Sequence, residues 1–236
     1  MKKEKKDYYS YSSLVSLSNY LELDKYKKIA VVASGPSAAN LILEDDTLYF
    51  CCNDSINIVK SKPHIYIVHD KFYLIKYLKS FSPTYNWAGT LFWIYDNKSK
   101  TNYKSFEKVL KYITTRSREK REFLITNFNY IKSSEALNLD LIMTLENDFD
   151  FSYKSINSGF NTLLLASVFA LKNDKALEIY GLDMGIGGEK YYNKNAVIGK
   201  SIKGDNNRDI VASFLSNLYK KNMNIDNRSN FMTHRS

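Results

Sequence analysis

The feature that most constrains the fold is residues 27–37, KKIAVVASGPS, an apolar run that ends in a Gly-Pro-Ser turn. The five residues after Lys28 carry no charge, which is typical of a strand buried on both faces of a parallel sheet. The glycine permits a sharp turn, the proline presets a first helical residue, and Ser37 can cap the helix or bind an anion. We therefore predict a central strand and a helix over 38–43 whose N-terminus favours a phosphate.

On its own, this turn leaves two interpretations open. It fits the first βα turn of a nucleotide-binding domain, and it equally fits an ordinary strand-turn-helix. It lacks the second and third glycines of a dinucleotide fingerprint and the lysine of a P-loop. The rest of the chain has to decide between them.

Length and composition favour one α/β domain with an accessory piece, because the chain has 236 residues of which 44% are hydrophobic. No run approaches the roughly 18 to 20 apolar residues of a membrane span. The basic N-terminus is not followed by the apolar core of a signal peptide. Cys51 and Cys52 are adjacent in an apparent strand and point to opposite faces, so we expect no disulfide between them. These features predict a cytoplasmic protein in a reducing compartment.

The net charge of +9 attracts anions, which include nucleic acid, an anionic membrane surface and phosphorylated ligands. The lysines are spread along the chain without a dense basic block, and no nucleic-acid-binding module is recognisable. We therefore expect no nucleic acid partner and favour a phosphorylated ligand or a membrane surface. Peripheral contact with the inner membrane and self-association both remain open.

The remaining elements alternate between strands and helices. Apolar runs predict strands at 47–53, 64–69, 90–95, 176–180 and 224–227, and helices at 10–20, 74–81, 103–113, 160–171 and 208–220, while 137–145 fits either. Residues 1–26 are predicted to be an N-terminal arm, 27–230 the α/β domain with a glycine-rich lid at about 184–207, and 231–236 a tail. The predicted fold is a single Rossmann-like domain with a mainly parallel sheet flanked by helices.

Polar residues follow several predicted strands directly. Asn53 and Asp54 follow the second strand, His69 and Asp70 the third, and Asp183 the strand that ends in Gly181. The carboxyl ends of parallel strands share one edge of a sheet, where α/β proteins bind their ligands. The sequence therefore predicts a polar site at that edge.

The order of these segments resembles glycosyltransferase family 42, the bacterial sialyltransferases, and more distantly the motility-accessory-factor-like proteins. The matching segments span residues 27–230: ASGPS at Ala33–Ser37, CCN ending at Asn53, INSG at Ile156–Gly159, IYGLD at Ile179–Asp183, a tyrosine-bearing lid, and NRDI at Asn207–Ile210. The resemblance implies a GT-A-like domain and an inverting, metal-independent transferase without a cofactor. It also implies a CMP-sialic acid donor and a glycan or lipid-linked glycan acceptor of bacterial lipooligosaccharide or capsule.

Carried over to matching positions, the resemblance implies a set of donor-binding residues that contact the phosphate, the ribose, the base and the donor sugar. These residues are Ser34, Gly35, Ser37, Asn53, Asn157, Ser158, Gly159, Gly181, Tyr191 and Tyr192. Hydroxyl and N–H donors aimed at the leaving phosphate stabilise the transition state more than the ground state. The candidate catalytic residues are His69, Lys200 and Asp183.

Three positions depart from the family pattern. Lys200 stands where the family has the histidine that acts as general base, and an ordinary lysine is protonated at neutral pH. His69 stands where the family has a second asparagine, and Asp70 is available to orient it. Gly185 stands at or beside one of the family's two phosphate-binding tyrosines. These departures make His69 the leading candidate for the base.

Two other functions stay open. A metal-dependent, pyrophosphokinase-like relative would need Asp148, Asp150 and Asp183 to hold a divalent ion together. The first two lie beside Glu146 in an apparent loop, where solvated acids are the simpler interpretation, so we predict no metal site. A nucleotide-sugar-binding protein without catalysis is the other alternative, and Lys200 in place of histidine is its sign.

Overall fold

The computed structural model describes residues 9–68, 73, 76, 89–92, 130–133, 135–186 and 207–235. The strands in these residues are β1 (Tyr9–Tyr11), β2 (Lys28–Val32), β3 (Thr47–Cys52), β4 (His64–Val68), β5 (Gly89–Phe92), β6 (Tyr130–Ser133), β7 (Ala176–Tyr180), β8 (Ile225–Asn227) and β9 (His234–Arg235). The helices are α1 (Leu14–Tyr20), α2 (Ile56–Val59), α3 (Glu135–Phe149), α4 (Ser158–Lys172) and α5 (Arg208–Tyr219). Short 3₁₀ turns lie at Leu23–Lys25, Pro36–Asn40 and Asn53–Ser55.

The described strands form one sheet in the order β1-β6-β5-β4-β3-β2-β7-β8-β9. Every neighbouring pair is parallel except β8 and β9. From β2 the strand order proceeds through β3 and β4 to one side, whereas β7 and β8 follow on the other side. The prediction of an α/β domain with a mainly parallel sheet is confirmed.

Strand β2 lies inside the sheet, hydrogen-bonded to β3 on one side and to β7 on the other. All four residues from Ile29 to Val32 are fully buried. Ile29 and Val31 belong to the core beneath the helices, whereas the two residues that alternate with them face the opposite side. The uncharged run was correctly interpreted as a central strand.

One layer of helices covers the sheet. Helix α4 packs across β2, β3 and β7, and α3 packs against α4 and α5. Every residue of α4 from Phe160 to Ala170 is buried, which fits a helix whose sequence is apolar nearly all round. Four aromatic rings join the helices, with centroids 5.1 to 5.8 Å apart: Phe149, Phe151, Phe160 and Phe214.

The predicted helix over 38–43 is wrong. The chain forms a 3₁₀ turn at Pro36–Asn40 and then becomes extended at Leu41. The hydroxyl of Tyr49 accepts a hydrogen bond from the Glu44 N–H at 2.7 Å and lies 3.3 Å from the Glu44 carbonyl oxygen. The backbone approaching β3 is therefore held in a non-helical conformation.

Both ends of the described chain differ from the predicted arm and tail, because each adds a strand to the sheet. Tyr9–Tyr11 pairs with β6, and His234–Arg235 pairs with β8. The ring of His234 stacks on Tyr219 with centroids 4.2 Å apart, and Phe231 is buried. Strands of two or three residues are too short to show a hydrophobic period.

Cys51 and Cys52 are buried free thiols. Burial raises the pKa of the Cys52 thiol to about 12, so it stays protonated at neutral pH. Among the helices of the described residues, none is both long enough and apolar enough to cross a membrane.

We expect His64 to make folding stability depend on pH. Burial lowers its pKa to about 4 from the ordinary 6.5, so between these values the unfolded chain binds a proton that the folded chain does not. The stability from neutral His64 is complete above about pH 6.5 and is lost as the pH falls to about 4, by about 3 kcal/mol. His64→Asn, which keeps a donor for the Lys62 carbonyl, should remove this part of the pH dependence in urea unfolding. Equal pH profiles for the two proteins would contradict the assignment.

The aromatic cluster predicts a large effect at Phe214, whose ring contacts three others. Phe214→Ala should lower the free energy of unfolding by about 3 to 5 kcal/mol, because it removes buried area and leaves a cavity. Val15 is 66% exposed, so Val15→Ala is the control and should cost under about 0.5 kcal/mol. Urea unfolding of both variants measures the difference, and similar losses would show that the cluster does not hold the helices.

Candidate functional site

The candidate site lies at the carboxyl edge of the sheet, above β2. The strand order reverses direction there, since β3 and β7 flank β2 and their connections lead to opposite sides. Open parallel sheets bind ligands at such a switch point. Ser34 follows β2, Asn53 follows β3 and Gly181 follows β7, so the sheet brings these residues to one edge.

Asp183 ties three segments of this edge together. Its Oδ2 accepts a hydrogen bond from the Ser37 N–H at 2.8 Å, and its Oδ1 accepts one from the Asn230 N–H at 2.6 Å. The Ser37 hydroxyl in turn accepts a hydrogen bond from the Gly181 N–H at 2.9 Å. The side chain is buried. The Ser37 N–H therefore donates its hydrogen bond to a carboxylate of the protein itself, and this is the N–H group that the sequence predicted to be available to a ligand anion.

These contacts bear on two predicted roles. Asp183 uses both carboxylate oxygens for backbone N–H groups, which favours a positioning role over the predicted catalytic one. Ser37 likewise serves the contact between the loops after β2 and β7. Both residues lie at the predicted edge, and their contacts shape it.

Two glycines let these loops approach each other. A Cβ on Gly35 would lie 2.3 Å from the Asp183 Oδ2 and 2.5 Å from the Gly181 carbonyl oxygen. Gly181 has a φ of +73°, and a Cβ there would lie 2.3 Å from the Ala33 carbonyl oxygen. No side chain fits at either position. On the side where its Cβ would lie, Gly35 is thus in contact with the loop after β7.

Ser34 joins the ends of β2 and β3. Its hydroxyl donates a hydrogen bond to the Cys52 carbonyl oxygen at 3.4 Å. Below it, the Ser55 hydroxyl lies 2.5 Å from the Val32 carbonyl oxygen and accepts a hydrogen bond from the Cys52 N–H at 3.1 Å. The backbone after both strands is therefore fixed by short hydroxyl contacts.

The N-terminus of α4 reaches the same edge. Asn157 caps the helix, accepting a hydrogen bond from the Phe160 N–H at 2.8 Å. A Cβ on Gly159 would lie 2.9 Å from the Cβ of Ala33, so the first turn of α4 touches the end of β2. The N–H groups of Ser158 and Gly159 belong to the first turn, where an α-helix has no acceptor of its own for them. They can donate to an anion placed above β2.

Asn53 adopts a left-handed conformation, with a φ of 51°. This conformation is uncommon outside glycine and is best tolerated by asparagine and aspartate. It turns the chain abruptly at the end of β3 and leaves the Asn53 side chain half-buried at the edge. Met184, which follows Asp183, has a φ of 48°. Left-handed residues outside glycine cluster at functional sites.

Two cations also reach this edge. Lys76 forms an ion pair with the buried Asp54, with 2.5 Å between Nζ and Oδ1. Arg208, the first residue of α5, donates from Nε to the Met184 carbonyl oxygen at 2.8 Å. Both positive charges lie beside residues that follow β3 or β7, where they can attract an anionic ligand.

The structure brings together nine of the predicted site residues: Ser34, Gly35, Ser37, Asn53, Asn157, Ser158, Gly159, Gly181 and Asp183. The other four, which are His69, Tyr191, Tyr192 and Lys200, lie outside the described residues. Their predicted roles stay predictions.

The acids of the proposed metal site do not converge. Asp148 pairs with Lys172 at 2.9 Å, and Lys172 ends α4 just before β7 begins. That position is the amino edge of the sheet, about 20 Å along α4 from its first turn. Asp183 lies at the carboxyl edge. A shared ion at Asp148, Asp150 and Asp183 is therefore excluded by the geometry.

Three polar residues at this edge were not predicted from the sequence to belong to the site. Ser55 fixes the ends of β2 and β3, the Ser229 hydroxyl accepts a hydrogen bond from the Leu182 N–H at 3.0 Å, and Asn230 binds Asp183. The last two follow the strand predicted at 224–227. The rule that polar residues after parallel strands meet at one edge would have found them.

No protein-family model matches the chain, and no curated protein matches it. Among solved structures, the chain is similar to the sialyltransferase CstII from Campylobacter jejuni, determined in complex with the substrate analogue CMP-3FNeuAc. The sequence identity is 16% and the TM-score is 0.44, over 89% of this chain and 87% of that one. A likeness of this degree assigns no activity to the protein.

The contacts of Asp183 predict a strong effect on folding. Asp183→Asn should lower the free energy of unfolding by about 2 to 4 kcal/mol, because one oxygen is replaced by an NH₂ group facing a backbone N–H. Asp174→Asn is the control, since Asp174 is exposed in a turn at the amino edge and asparagine also tolerates its φ of 51°. Urea unfolding measures the loss of stability in both variants. If Asp183→Asn loses as little stability as Asp174→Asn, the hydrogen bonds of Asp183 are not needed for folding.

Proposed function

We propose that the protein is a glycosyltransferase of the sialyltransferase type. It transfers sialic acid or a related nonulosonate from a CMP donor to a glycan acceptor. The donor lies at the carboxyl edge of the sheet, between the ends of β2 and β3 and the first turn of α4. The observation that carries this proposal is the meeting of Ser34, Asn53 and the Ser158–Gly159 turn at the switch point of the sheet.

The chemistry of the edge suits a nucleoside monophosphate as leaving group. When CMP departs, negative charge grows on its phosphate. The N–H groups that open α4 can donate hydrogen bonds there, and so can the Ser34 hydroxyl once it turns away from the Cys52 carbonyl oxygen. The positive end of the helix dipole favours the same charge. Asn53 supplies an amide with both a donor and acceptors, which suits the base or ribose of the nucleotide.

The proton acceptor and the lid are further parts of the proposal. An inverting transfer needs a base that takes the proton of the acceptor hydroxyl. We assign this role to His69, which follows β4, or to Lys200 if its pKa is lowered. Tyr191 and Tyr192 would donate to the leaving phosphate from a lid that excludes water.

A nucleotide-sugar-binding protein without catalysis is the second candidate, and Lys200 in the position of the family histidine favours it. The same donor site serves both functions. They differ in whether the bond between the sugar and CMP breaks and a new bond forms to the acceptor oxygen, whose proton goes to the base, so a transfer assay separates them.

The cellular setting follows from the proposed reaction. CMP donors are cytoplasmic, and lipid-linked acceptors lie at the inner membrane. The net charge of +9 would attract the protein to the anionic surface of that membrane. Acceptors of lipooligosaccharide or capsule, and self-association of the chain, belong to this proposal as well.

The proposal predicts that CMP stabilises the protein without added metal. At about 100 times its Kd, CMP should raise the free energy of unfolding by about 2.7 kcal/mol. Asn53→Gly keeps the left-handed backbone and removes the amide, so it should weaken CMP binding about tenfold. Asp174→Gly is the matched control, because it makes the same backbone exchange at a φ of 51° away from the site. Thermal shift and calorimetry measure both.

The transfer assay uses CMP-sialic acid and a glycan acceptor. Transfer supports the transferase, and CMP binding without transfer or donor hydrolysis supports the binding protein. Stabilisation by ATP with magnesium, together with no effect of CMP, would overturn both candidates.

A further inference from the structure

Asp54 is a buried acid at the ligand edge that the proposed reaction does not yet use. It follows Asn53 directly, and its side chain is only 9% exposed. The Asn53–Ser55 turn fixes its backbone, since the Ser55 hydroxyl binds the Cys52 N–H and the Asn57 side chain donates to the Asp54 carbonyl oxygen at 3.1 Å. The backbone that carries the carboxylate is therefore fixed.

Lys76 forms an ion pair with this carboxylate. The distance from its Nζ to the Asp54 Oδ1 is 2.5 Å, and the lysine side chain is 46% exposed. The pair is thus asymmetric, with a buried acid and a half-exposed base. An ammonium group carries three N–H donors, and its bond to Oδ1 uses one of them. Asp54 thus holds the ammonium group in place, and a half-exposed ammonium group has the further donors to bind a ligand anion as well.

Stability alone does not account for the pair. Burying a carboxylate costs desolvation energy, and apolar residues of similar volume usually stabilise a fold as well or better. The Asp148–Lys172 pair, by contrast, has both side chains partly exposed, at 35% and 44%. Asp54 directly follows Asn53, a residue of the candidate donor site, and a fixed positive charge there can bind an anionic group.

We infer that Lys76, held by Asp54, is a further donor-binding residue that binds an anionic group of the donor. The group is either the phosphate of the nucleotide or the carboxylate of an acidic sugar. Lys76 touches the ligand, and Asp54 is a positioning residue that acts through Lys76. The inference rests on the proposed function and extends it, because it makes the site select a donor by its negative charge.

The test compares three probes: cytidine, CMP and CMP-3FNeuAc. Their Kd values are measured by calorimetry on the wild-type protein, Lys76→Met and Lys172→Met. The last variant is the matched control, because it removes a lysine of nearly the same exposure from an ion pair at the opposite edge of the sheet. Lys76→Met should weaken binding of the charged probes about tenfold and leave cytidine unchanged.

The probes also identify the anionic group. A loss already seen with CMP assigns Lys76 to the phosphate, whereas a loss confined to CMP-3FNeuAc assigns it to the sugar carboxylate. Lys76→Arg keeps a positive charge and should recover part of the binding, and Asp54→Asn should weaken the same probes as Lys76→Met. If Lys76→Met does not fold because the buried Asp54 loses this ion pair, Lys76→Met with Asp54→Asn removes both charges and should show the same loss.

Two results would overturn the inference. If Lys76→Met and Lys172→Met bind all three probes like the wild type, Lys76 is only a structural partner of Asp54 and the proposed function stands. If the wild-type protein binds none of the probes, the proposed function fails and this inference fails with it.

Discussion

The carboxylate of Asp183 is the contact on which the candidate site depends. It holds the Gly-Pro-Ser turn after β2, the end of β7 and the segment after β8 in one arrangement through two backbone hydrogen bonds. A buried carboxylate is costly unless its oxygens are hydrogen-bonded. Here the backbone supplies those bonds, and the loops are thereby fixed. Since this acid fills the anion position of the Gly-Pro-Ser turn, the proposed ligand is placed in the neighbouring space above Ser34.

The sheet topology makes that neighbouring space a binding edge. β2 lies between β3 and β7, so the loops above it diverge to opposite sides. Helix α4 packs beneath the same strands and points its first turn to the end of β2, with Gly159 against Ala33. The Ser34 hydroxyl, the Asn53 amide and the N-terminus of α4 thus lie at one edge of the sheet. Such preorganised donors suit a phosphate whose charge grows during a reaction.

Much of the fold could be predicted from local sequence, because its central elements have strong patterns. In a parallel α/β domain, the uncharged run of β2 fits only a buried strand, and the all-round apolar sequence of α4 fits only a buried helix. The terminal strands could not be predicted, since Tyr9–Tyr11 and His234–Arg235 are too short to show a period. The helix after Pro36 was wrongly predicted. The contact between Tyr49 and Glu44, which holds the following segment in a non-helical conformation, has no recognisable sequence pattern.

The location of the candidate site could be predicted from the sequence better than the contacts that its residues make. Residues after parallel strands meet at one edge whatever their side chains are, which is why Ser34, Asn53 and Asp183 were found. Whether an acid binds a ligand or its own backbone depends on loop geometry, which the sequence does not show. For this reason the sequence could not show that Asp183 binds the N–H groups of Ser37 and Asn230, or that Asp54 pairs with Lys76.

A crystal structure of the protein soaked with CMP tests the central claim most directly. We expect the nucleotide to lie above β2, with its phosphate or ribose within hydrogen-bond distance of Ser34 and Ser158. We also expect Asn53 to form a hydrogen bond with the nucleotide. The contacts of Asp183 should stay as they are in the free protein. CMP bound at the amino edge beside Lys172, or displacing Asp183 from the Ser37 N–H, would contradict the claim.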